Sequence, residues 1–150
     1  MNILFVCTGN TCRSCMAEVI FNEISDIKEV TAYSAGISVV PGSKTSSNTA
    51  DLIKTNFNLD ISNRVAKQLV PDDLKKNDLI LTMTKYMEEL LKNAFPEQSQ
   101  KIYSLNSLVG IEYDISDPFG GNIQVYQNTF HSLKKSIELL INKLKEDSGN

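Results

Sequence analysis

The chain has 150 residues, of which 41% are hydrophobic and 22% charged, values typical of one soluble domain with a sizeable core. Its formal net charge of −3 excludes the strongly basic surface of a nucleic-acid-binding protein. No apolar stretch approaches the ~20 residues that span a bilayer, and the short run at residues 3–6 is not a signal peptide. We therefore expect one domain over residues 1–150 with a polar C-terminal end at 146–150. We also expect a cytoplasmic monomer without membrane or nucleic-acid partners.

Strands and helices alternate in the predicted secondary structure. The continuous apolar run Ile3–Cys7 predicts a buried strand. A helix starting near Arg13 follows, with apolar residues at the spacing of one helix face: Ala17, Ile20, Phe21 and Ile24. The next predicted elements, in chain order, are a strand at Val30–Ser34, a helix over 46–57, a helical turn at Pro71, a strand at Leu79–Met83, a helix capped by Thr84 and a short strand at Ile102–Tyr103.

The last third of the chain is predicted to be a loop, 106–121, followed by the longest helix, whose apolar stripe runs from Tyr126 to Leu144. This alternation predicts an α/β domain with a central four-stranded parallel sheet and helices on both faces. Functional sites of this architecture lie beyond the carboxyl ends of the strands. The segment that follows Cys7 occupies that position.

The most informative segment is the loop after the first strand, Cys7-Thr8-Gly9-Asn10-Thr11-Cys12-Arg13-Ser14. A loop that curls back on itself turns its N–H groups inward into an anion-binding nest, and we expect Gly9 to take the positive φ that this needs. The positive end of a helix that begins near Arg13 favours a thiolate at Cys7. Arg13 supplies a planar fork for two phosphoryl oxygens. The loop therefore predicts covalent phosphate transfer with Cys7 as the nucleophile.

An alternative interpretation is that Cys7 is simply a small buried residue, which is the commoner role of an isolated cysteine. Chance alone places an Arg six positions after a given Cys roughly once in 20. The added Ser, the glycine within the loop and the strand-then-helix context lower this chance to about one in a thousand, so we favour catalysis. All three cysteines lie between residues 7 and 15, which also favours local chemistry over a disulfide framework.

A general acid must protonate a poor leaving group, and the strongest candidate is Asp117, in Asp117-Pro118-Phe119-Gly120-Gly121. Pro118 restricts Asp117 to extended geometry, and the paired glycines would let the backbone lie close to another loop. Asp-Pro in a loop is more often plain turn chemistry. On these residues alone, both interpretations of Asp117 stay open.

Together, the Cys7–Ser14 and Asp117–Gly121 motifs resemble those of the low-molecular-weight protein tyrosine phosphatases, over essentially the whole chain. The resemblance implies that Cys7 is the nucleophile, that Arg13 clamps the phosphate, and that Asp117 protonates the leaving group and then activates water. It implies that Ser14 donates to the thiolate and that Asn10 and Ser34 hold the loop in shape. The implied substrate-binding set comprises Thr8, Gly9, Asn10, Thr11, Cys12, Ser14 and Phe119. No metal or cofactor is expected, because Arg13 and the backbone nest neutralise the phosphate.

Within that family, the chain looks most like the bacterial protein-arginine phosphatase branch. Thr11 stands where tyrosine-directed members usually carry an aliphatic residue, and Phe119-Gly120-Gly121 stands where they usually carry tyrosine. The implied partners are phosphorylated proteins, with phosphoarginine as the substrate group and phosphotyrosine as the alternative. The Thr11 hydroxyl could contact a guanidinium or position water; alternatively, Thr11 merely packs the loop.

Two residues depart from the family pattern. Cys15 replaces the proline that most members carry after Arg-Ser, and Arg64 replaces a loop-supporting histidine, which puts the supporting network in doubt. The resemblance also implies that Cys12 pairs with Cys7 on oxidation. Cys15 is then either a competitor in that pairing or a buried thiol on the helix.

Two other functions fit parts of the pattern. An arsenate reductase needs a relay of cysteines, and residues 81–92 contain none. A non-catalytic phosphate-binding module needs the nest and Arg13 but neither Cys7 nor Asp117. Both are remote alternatives.

Overall fold

Two clusters of apolar side chains form the core, one on each face of a four-stranded parallel sheet. The computed structural model describes residues 1–148. The strands are β1 (Asn2–Cys7), β2 (Thr31–Gly36), β3 (Leu79–Thr82) and β4 (Ile102–Ser104), in the spatial order β2-β1-β3-β4. All pairs are parallel. The predicted α/β domain and its central sheet are therefore confirmed.

Helices cover both faces of this sheet, as predicted. On one face lie α1 (Arg13–Ile24), α2 (Ser47–Phe57) and α6 (Ile123–Ser148), around a cluster that includes Phe21 and Phe130. On the other face, α3 (Pro71–Lys76) and α4 (Lys85–Ala94) contribute Leu74 and Leu91 to the second cluster. Strand β1 is buried on both faces, which explains why it is a continuous apolar run rather than an alternating one.

Side-chain caps fix the starts of two helices. The Ser46 hydroxyl accepts a hydrogen bond from the Thr49 N–H (3.3 Å) at the start of α2. The Thr84 hydroxyl accepts one from the Met87 N–H (3.1 Å) at the start of α4, as predicted. These bonds satisfy N–H groups that lack partners within the helix.

Three predicted boundaries need correction. The segment predicted as a loop from residue 106 opens with a short helix, α5 (Leu105–Leu108), and a 3-10 helix (Pro96–Lys101) precedes β4. Strand β2 ends at Gly36 rather than Ser34, because the 67–69 segment continues the pairing: Gly36 donates to the Lys67 carbonyl and accepts from the Leu69 N–H. Of the predicted polar end, residues 146–148 continue α6, and residues 149 and 150 lie outside the described part of the chain.

Candidate active site

The loop from Cys7 to Cys12 joins β1 to α1 at the carboxyl end of the sheet, as predicted. Two backbone bonds of 2.9 Å fasten its start to the residues after β2: Ile37 donates to the Cys7 carbonyl and Ser38 to the Thr8 carbonyl. Helix α1 begins at Arg13, as expected. Its N-terminal N–H groups and positive dipole end therefore follow the loop directly, which favours an anion there.

The positive φ of this loop falls on Asn10 (57°) and not on Gly9, so that expectation was wrong. Asparagine tolerates the left-handed region when its side chain is hydrogen-bonded locally. The Asn10 amide nitrogen donates to the Ser14 hydroxyl (2.8 Å) and the Ser34 hydroxyl (3.0 Å). These bonds hold Asn10 in the conformation that a nest requires.

The Cys7 sulfur is almost fully buried and has two hydrogen-bonding neighbours. The Ser14 hydroxyl lies 2.8 Å from Cys7 Sγ, and the Asn10 N–H donates to the same sulfur over 3.2 Å. Two donors beside a sulfur stabilise negative charge on it. Ser14 itself is completely buried and lies behind the loop rather than on the cleft wall.

The Arg13 guanidinium is buried and fixed from the far side of the cleft. Its Nη1 donates to the Ile115 carbonyl over 2.9 Å. The Ile115 N–H in turn donates to the carbonyl of Met83, just after β3 (3.1 Å), so the sheet positions this part of the 109–122 loop. Arg13 Nη2 lies 3.7 Å from Asp117 Oδ2. The arginine and the carboxylate therefore meet at one site although 104 positions separate them in the sequence, 117 − 13.

Asp117 closes a turn and also faces the cleft, so its place in the structure is compatible with both interpretations that the sequence left open. One carboxylate oxygen accepts a hydrogen bond from the Phe119 N–H (3.0 Å) and closes the turn, while the other faces Arg13. The Asp117 side chain is 54% exposed and borders the cleft. The glycines that follow serve local geometry rather than the approach of another loop. Gly120 takes a positive φ (81°), and a Cβ on Gly121 would lie 2.8 Å from Val125 Cβ in the first turn of α6.

Together these groups surround a cleft of about 580 Å3. Most of the predicted residues line it: Cys7, Thr8, Gly9, Asn10, Thr11, Cys12, Arg13, Asp117 and Phe119. Ser34 does not, and it acts on the loop through Asn10. Sequence reasoning missed a further set of lining residues: Val40, Ser43, Lys44, Ser46, Gly120 and Tyr126.

Arg64 supports the loop directly through hydrogen bonds to Asn10 and Ser34. The supporting network is therefore present although Arg64 replaces the histidine of the family pattern. Its Nη1 donates to Asn10 Oδ1 (3.1 Å) and its Nη2 to the Ser34 hydroxyl (2.7 Å). Its Nη2 also lies 3.3 Å from the Glu18 carboxylate, which accepts from Ser34 as well. Glu18 could not be identified from the sequence, because it lies on α1 outside any recognisable motif.

Gly36 is a second support residue that the motifs did not reveal. A Cβ built at this position would lie 2.7 Å from the Thr8 carbonyl oxygen and 3.0 Å from the Asn10 N. Only glycine lets the end of β2 pack this closely against the loop. A side chain there would displace the backbone that holds Cys7.

The other two cysteines differ in their surroundings. Cys12 Sγ lies 3.5 Å from the Tyr126 hydroxyl and 3.4 Å from the Ser46 hydroxyl, on the cleft wall. Burial and the contact with Cys12 raise the pKa of Tyr126 to about 12, so its hydroxyl stays neutral. Cys15 is completely buried against Thr45, and burial raises the pKa of its thiol to about 11. The structure thus favours the buried-thiol interpretation of Cys15.

No helix within residues 1–148 combines the length and the apolar character needed to cross a membrane. Within the same range, no three His, Cys, Asp or Glu side chains are grouped so that they could hold a metal ion.

A buried thiol with two donors, next to a fixed arginine at the end of a parallel sheet, defines a cysteine-dependent phosphatase. Residues 2–150 match the family model described as low molecular weight phosphotyrosine protein phosphatase, and the chain belongs to this family of protein phosphatases.

Similar proteins are named as phosphatases of two different substrates, protein arginine and protein tyrosine. The chain is 35% identical to a protein-arginine-phosphatase of Bacillus subtilis (strain 168), over 98% of this chain and 99% of the relative. It is 40% identical to the low molecular weight protein-tyrosine-phosphatase PtpB of Staphylococcus haemolyticus (strain JCSC1435), over 99% and 100% of the two chains. The crystal structure of a low molecular weight protein tyrosine phosphatase from T. tengcongensis superposes with a TM-score of 0.90 at 42% identity, covering 95% of this chain and 99% of that one.

Proposed function

We propose that this phosphatase removes the phosphoryl group from phosphoarginine residues of proteins, through a phosphocysteine at Cys7 and without a metal ion. The observation that carries this proposal is that Thr11 and Asp117 both line the cleft around Cys7. The guanidinium of a phosphoarginine carries several N–H donors, which need acceptors once they leave water. The Thr11 hydroxyl, whose contact with Cys12 Sγ is a long 3.7 Å, supplies one such acceptor. Asp117 lies on the same cleft wall, where it can protonate the leaving nitrogen.

The first step transfers the phosphoryl group to sulfur. The Cys7 thiolate, stabilised by Ser14 and Asn10, attacks phosphorus, so an S–P bond forms as the P–N bond breaks. Asp117 gives its proton to the departing nitrogen, and arginine leaves as the guanidinium. Arg13 and the loop N–H groups stabilise the charge on the phosphoryl oxygens.

The second step hydrolyses the intermediate. Asp117, now a carboxylate, takes a proton from water as the water oxygen attacks phosphorus. The S–P bond breaks, inorganic phosphate leaves and the Cys7 thiolate is restored. The same carboxylate thus serves as acid and then as base, which its position at the edge of the cleft allows.

Phosphotyrosine is the second candidate, and two observations favour it. The relative named as a protein-tyrosine-phosphatase is the more identical of the two above, at 40% against 35%. The Phe119 side chain is 81% exposed on the cleft wall, where its ring could stack on a phenol ring. An arsenate reductase is not supported, because the sequence has no cysteine after Cys15. Membership of a protein phosphatase family also disfavours a purely binding role.

We also propose that the enzyme acts as a cytoplasmic monomer. Its three cysteines are free thiols in the structure, a state that suits a reducing compartment such as the cytoplasm.

The deciding experiment compares turnover of matched peptides that carry phosphoarginine, phosphotyrosine or phosphoserine at one position. We expect the highest kcat/KM on phosphoarginine and no turnover by Cys7→Ala. A higher kcat/KM on phosphotyrosine would overturn the arginine assignment and leave the family assignment intact.

A further inference from the structure

A second cavity, of about 430 Å3, shares no lining residue with the active-site cleft. It lies where β1, β2 and α3 meet, and we call it the β2–α3 cavity. The residues of its wall that matter here are Leu4, Tyr33, Arg64, Lys67, Asp73 and Lys76. The mechanism described above makes no use of this cavity.

The charged side chains that line the cavity carry one positive charge in excess: Arg64, Lys67 and Lys76 against Asp73 and Glu18, of which Glu18 pairs with Arg64. Lys67 Nζ lies 2.7 Å from Asp73 Oδ2, and Lys76 Nζ lies 3.4 Å from Asp73 Oδ1, so two ammonium groups share one carboxylate. Both lysine side chains are about half exposed, and Asp73 is buried. A second anion placed between the lysines would complete the pairing and is the ligand group that this arrangement favours.

The uncharged part of the wall combines the apolar side chains of Leu4 and Tyr33 with polar ones: Asn2, Ser34 and Asn77. The Tyr33 side chain is 48% exposed although it lines a cavity, and Leu4 lies beside it. An aromatic ring half open to solvent gains from stacking with a second ring. The anion and the ring together describe one chemical class of ligand, a small aromatic carboxylate.

Two residues connect this cavity to the catalytic loop. Arg64 and Lys67 line the cavity, and both also donate to Asn10 Oδ1: Arg64 Nη1 over 3.1 Å and the Lys67 N–H over 2.9 Å. Asn10 in turn donates to the Cys7 sulfur and to the Ser14 hydroxyl. A chain of hydrogen bonds therefore runs from the cavity wall to the nucleophile.

We propose that the β2–α3 cavity binds a small aromatic carboxylate and that its occupancy lowers turnover through Asn10. A bound carboxylate attracts the Arg64 guanidinium and weakens its bonds to Asn10 and Ser34. The loop is then held less firmly around Cys7.

The test titrates 2-naphthoate into the full chain by calorimetry and compares four proteins: the unmodified enzyme, Lys76→Ala, Tyr33→Ala and the matched control Lys75→Ala. Lys75 lies on the same short helix, is exposed and does not line the cavity. We expect Lys76→Ala and Tyr33→Ala each to weaken binding about fivefold. Lys75→Ala should bind as the unmodified enzyme does. Absence of binding, or equal binding by all four proteins, would overturn the proposal.

A second experiment measures inhibition of p-nitrophenyl phosphate hydrolysis, so its result does not depend on the natural substrate. Saturating 2-naphthoate should lower kcat about fivefold or more with little change in KM, and Lys76→Ala should lessen this inhibition at a given concentration. A rise in KM with unchanged kcat would mean that the probe occupies the catalytic cleft, and would overturn the proposal. Binding that depends on Lys76 but leaves kcat unchanged would overturn the coupling through Asn10.

Discussion

Nη2 of Arg13 lies 3.7 Å from Oδ2 of Asp117, across the mouth of the cleft. The guanidinium is nearly buried and the carboxylate is half-exposed. The group proposed to hold the phosphoryl oxygens therefore lies beside the group proposed to protonate the leaving atom. Because the two groups are this close, we predict that Asp117 protonates the leaving group and does not only help to bind the substrate.

The variant Asp117→Asn tests this role, because an amide can keep the turn bond from Phe119 but cannot give up a proton at neutral pH. We expect phosphorylation of Cys7 by a phosphoarginine peptide, measured by rapid quench in a single turnover, to slow by about 10²–10⁴-fold. With p-nitrophenyl phosphate the loss in that step should be much smaller, since p-nitrophenolate leaves without a proton. Asp114→Asn, in the same loop, is the control. Equal losses on the two substrates would contradict a general-acid role.

Thr11→Val tests substrate choice, because it removes the hydroxyl while keeping the shape of the side chain. We expect kcat/KM on a phosphoarginine peptide to fall about tenfold, the typical effect of losing one hydrogen bond to a charged group. Activity on phosphotyrosine should stay level or rise, and Thr11→Ser should preserve the original preference. A ratio of the two activities that does not change in Thr11→Val would remove Thr11 from the argument.

Oxidation separates the roles of Cys12 and Cys15. Cys12 lies on the cleft wall with Cys7, whereas the buried Cys15, with a thiol pKa raised to about 11, stays protonated and unreactive at neutral pH. After peroxide treatment, we expect dithiothreitol to restore activity to the unmodified enzyme and to Cys15→Ser, but not to Cys12→Ser. Peptide mapping by mass spectrometry should find a Cys7–Cys12 disulfide. A Cys7–Cys15 disulfide in the map would show that the burial argument fails.

Glu88 gives a pH-dependent contribution to stability. Burial raises the pKa of its carboxyl, but the Ser104 N–H at 2.6 Å and the ammonium groups of Lys92 and Lys85 more than offset this, so the pKa lies below its usual range. The stabilisation is therefore present above about pH 4.3, where the unfolded carboxyl is ionised, and is lost as the pH falls through the lower folded pKa.

Urea unfolding near neutral pH and in acid measures that contribution. We expect Glu88→Gln to lower the free energy of unfolding by about 1–3 kcal/mol near pH 7 and by less in acid. The exposed neighbour variant Glu89→Gln should have little effect at either pH. A loss in Glu88→Gln that is as large in acid as at neutral pH would be incompatible with the depressed pKa.

Local patterns in the sequence predicted the elements that position the site. The continuous apolar run of β1 and the Thr84 cap depend on neighbours in the chain, so they could be recognised without a structure. The start of α1 at Arg13 could be predicted in the same way, from the apolar spacing of the residues that follow it. That Cys7 and Arg13 line one cleft could also be predicted, because only five residues separate them in a single loop.

Long-range contacts could not be predicted in this way. Arg64 reaches Asn10 across 54 positions of sequence, and the Ile115 carbonyl accepts from Arg13 across 102. Asn10 rather than Gly9 takes the left-handed conformation because its side chain donates to Ser34 and accepts from Arg64, two residues far along the chain. No spacing pattern carries this information.

The central claim is that Cys7 becomes covalently phosphorylated during turnover. The most direct measurement stops turnover of a phosphoarginine peptide in denaturant and examines the Cys7 peptide by phosphorus NMR and mass spectrometry. We predict an S-phosphate on Cys7, accumulated further in Asp117→Asn reacted with p-nitrophenyl phosphate and absent from Cys7→Ala. Full turnover without any phosphate on sulfur, or activity retained in Cys7→Ala, would contradict the account.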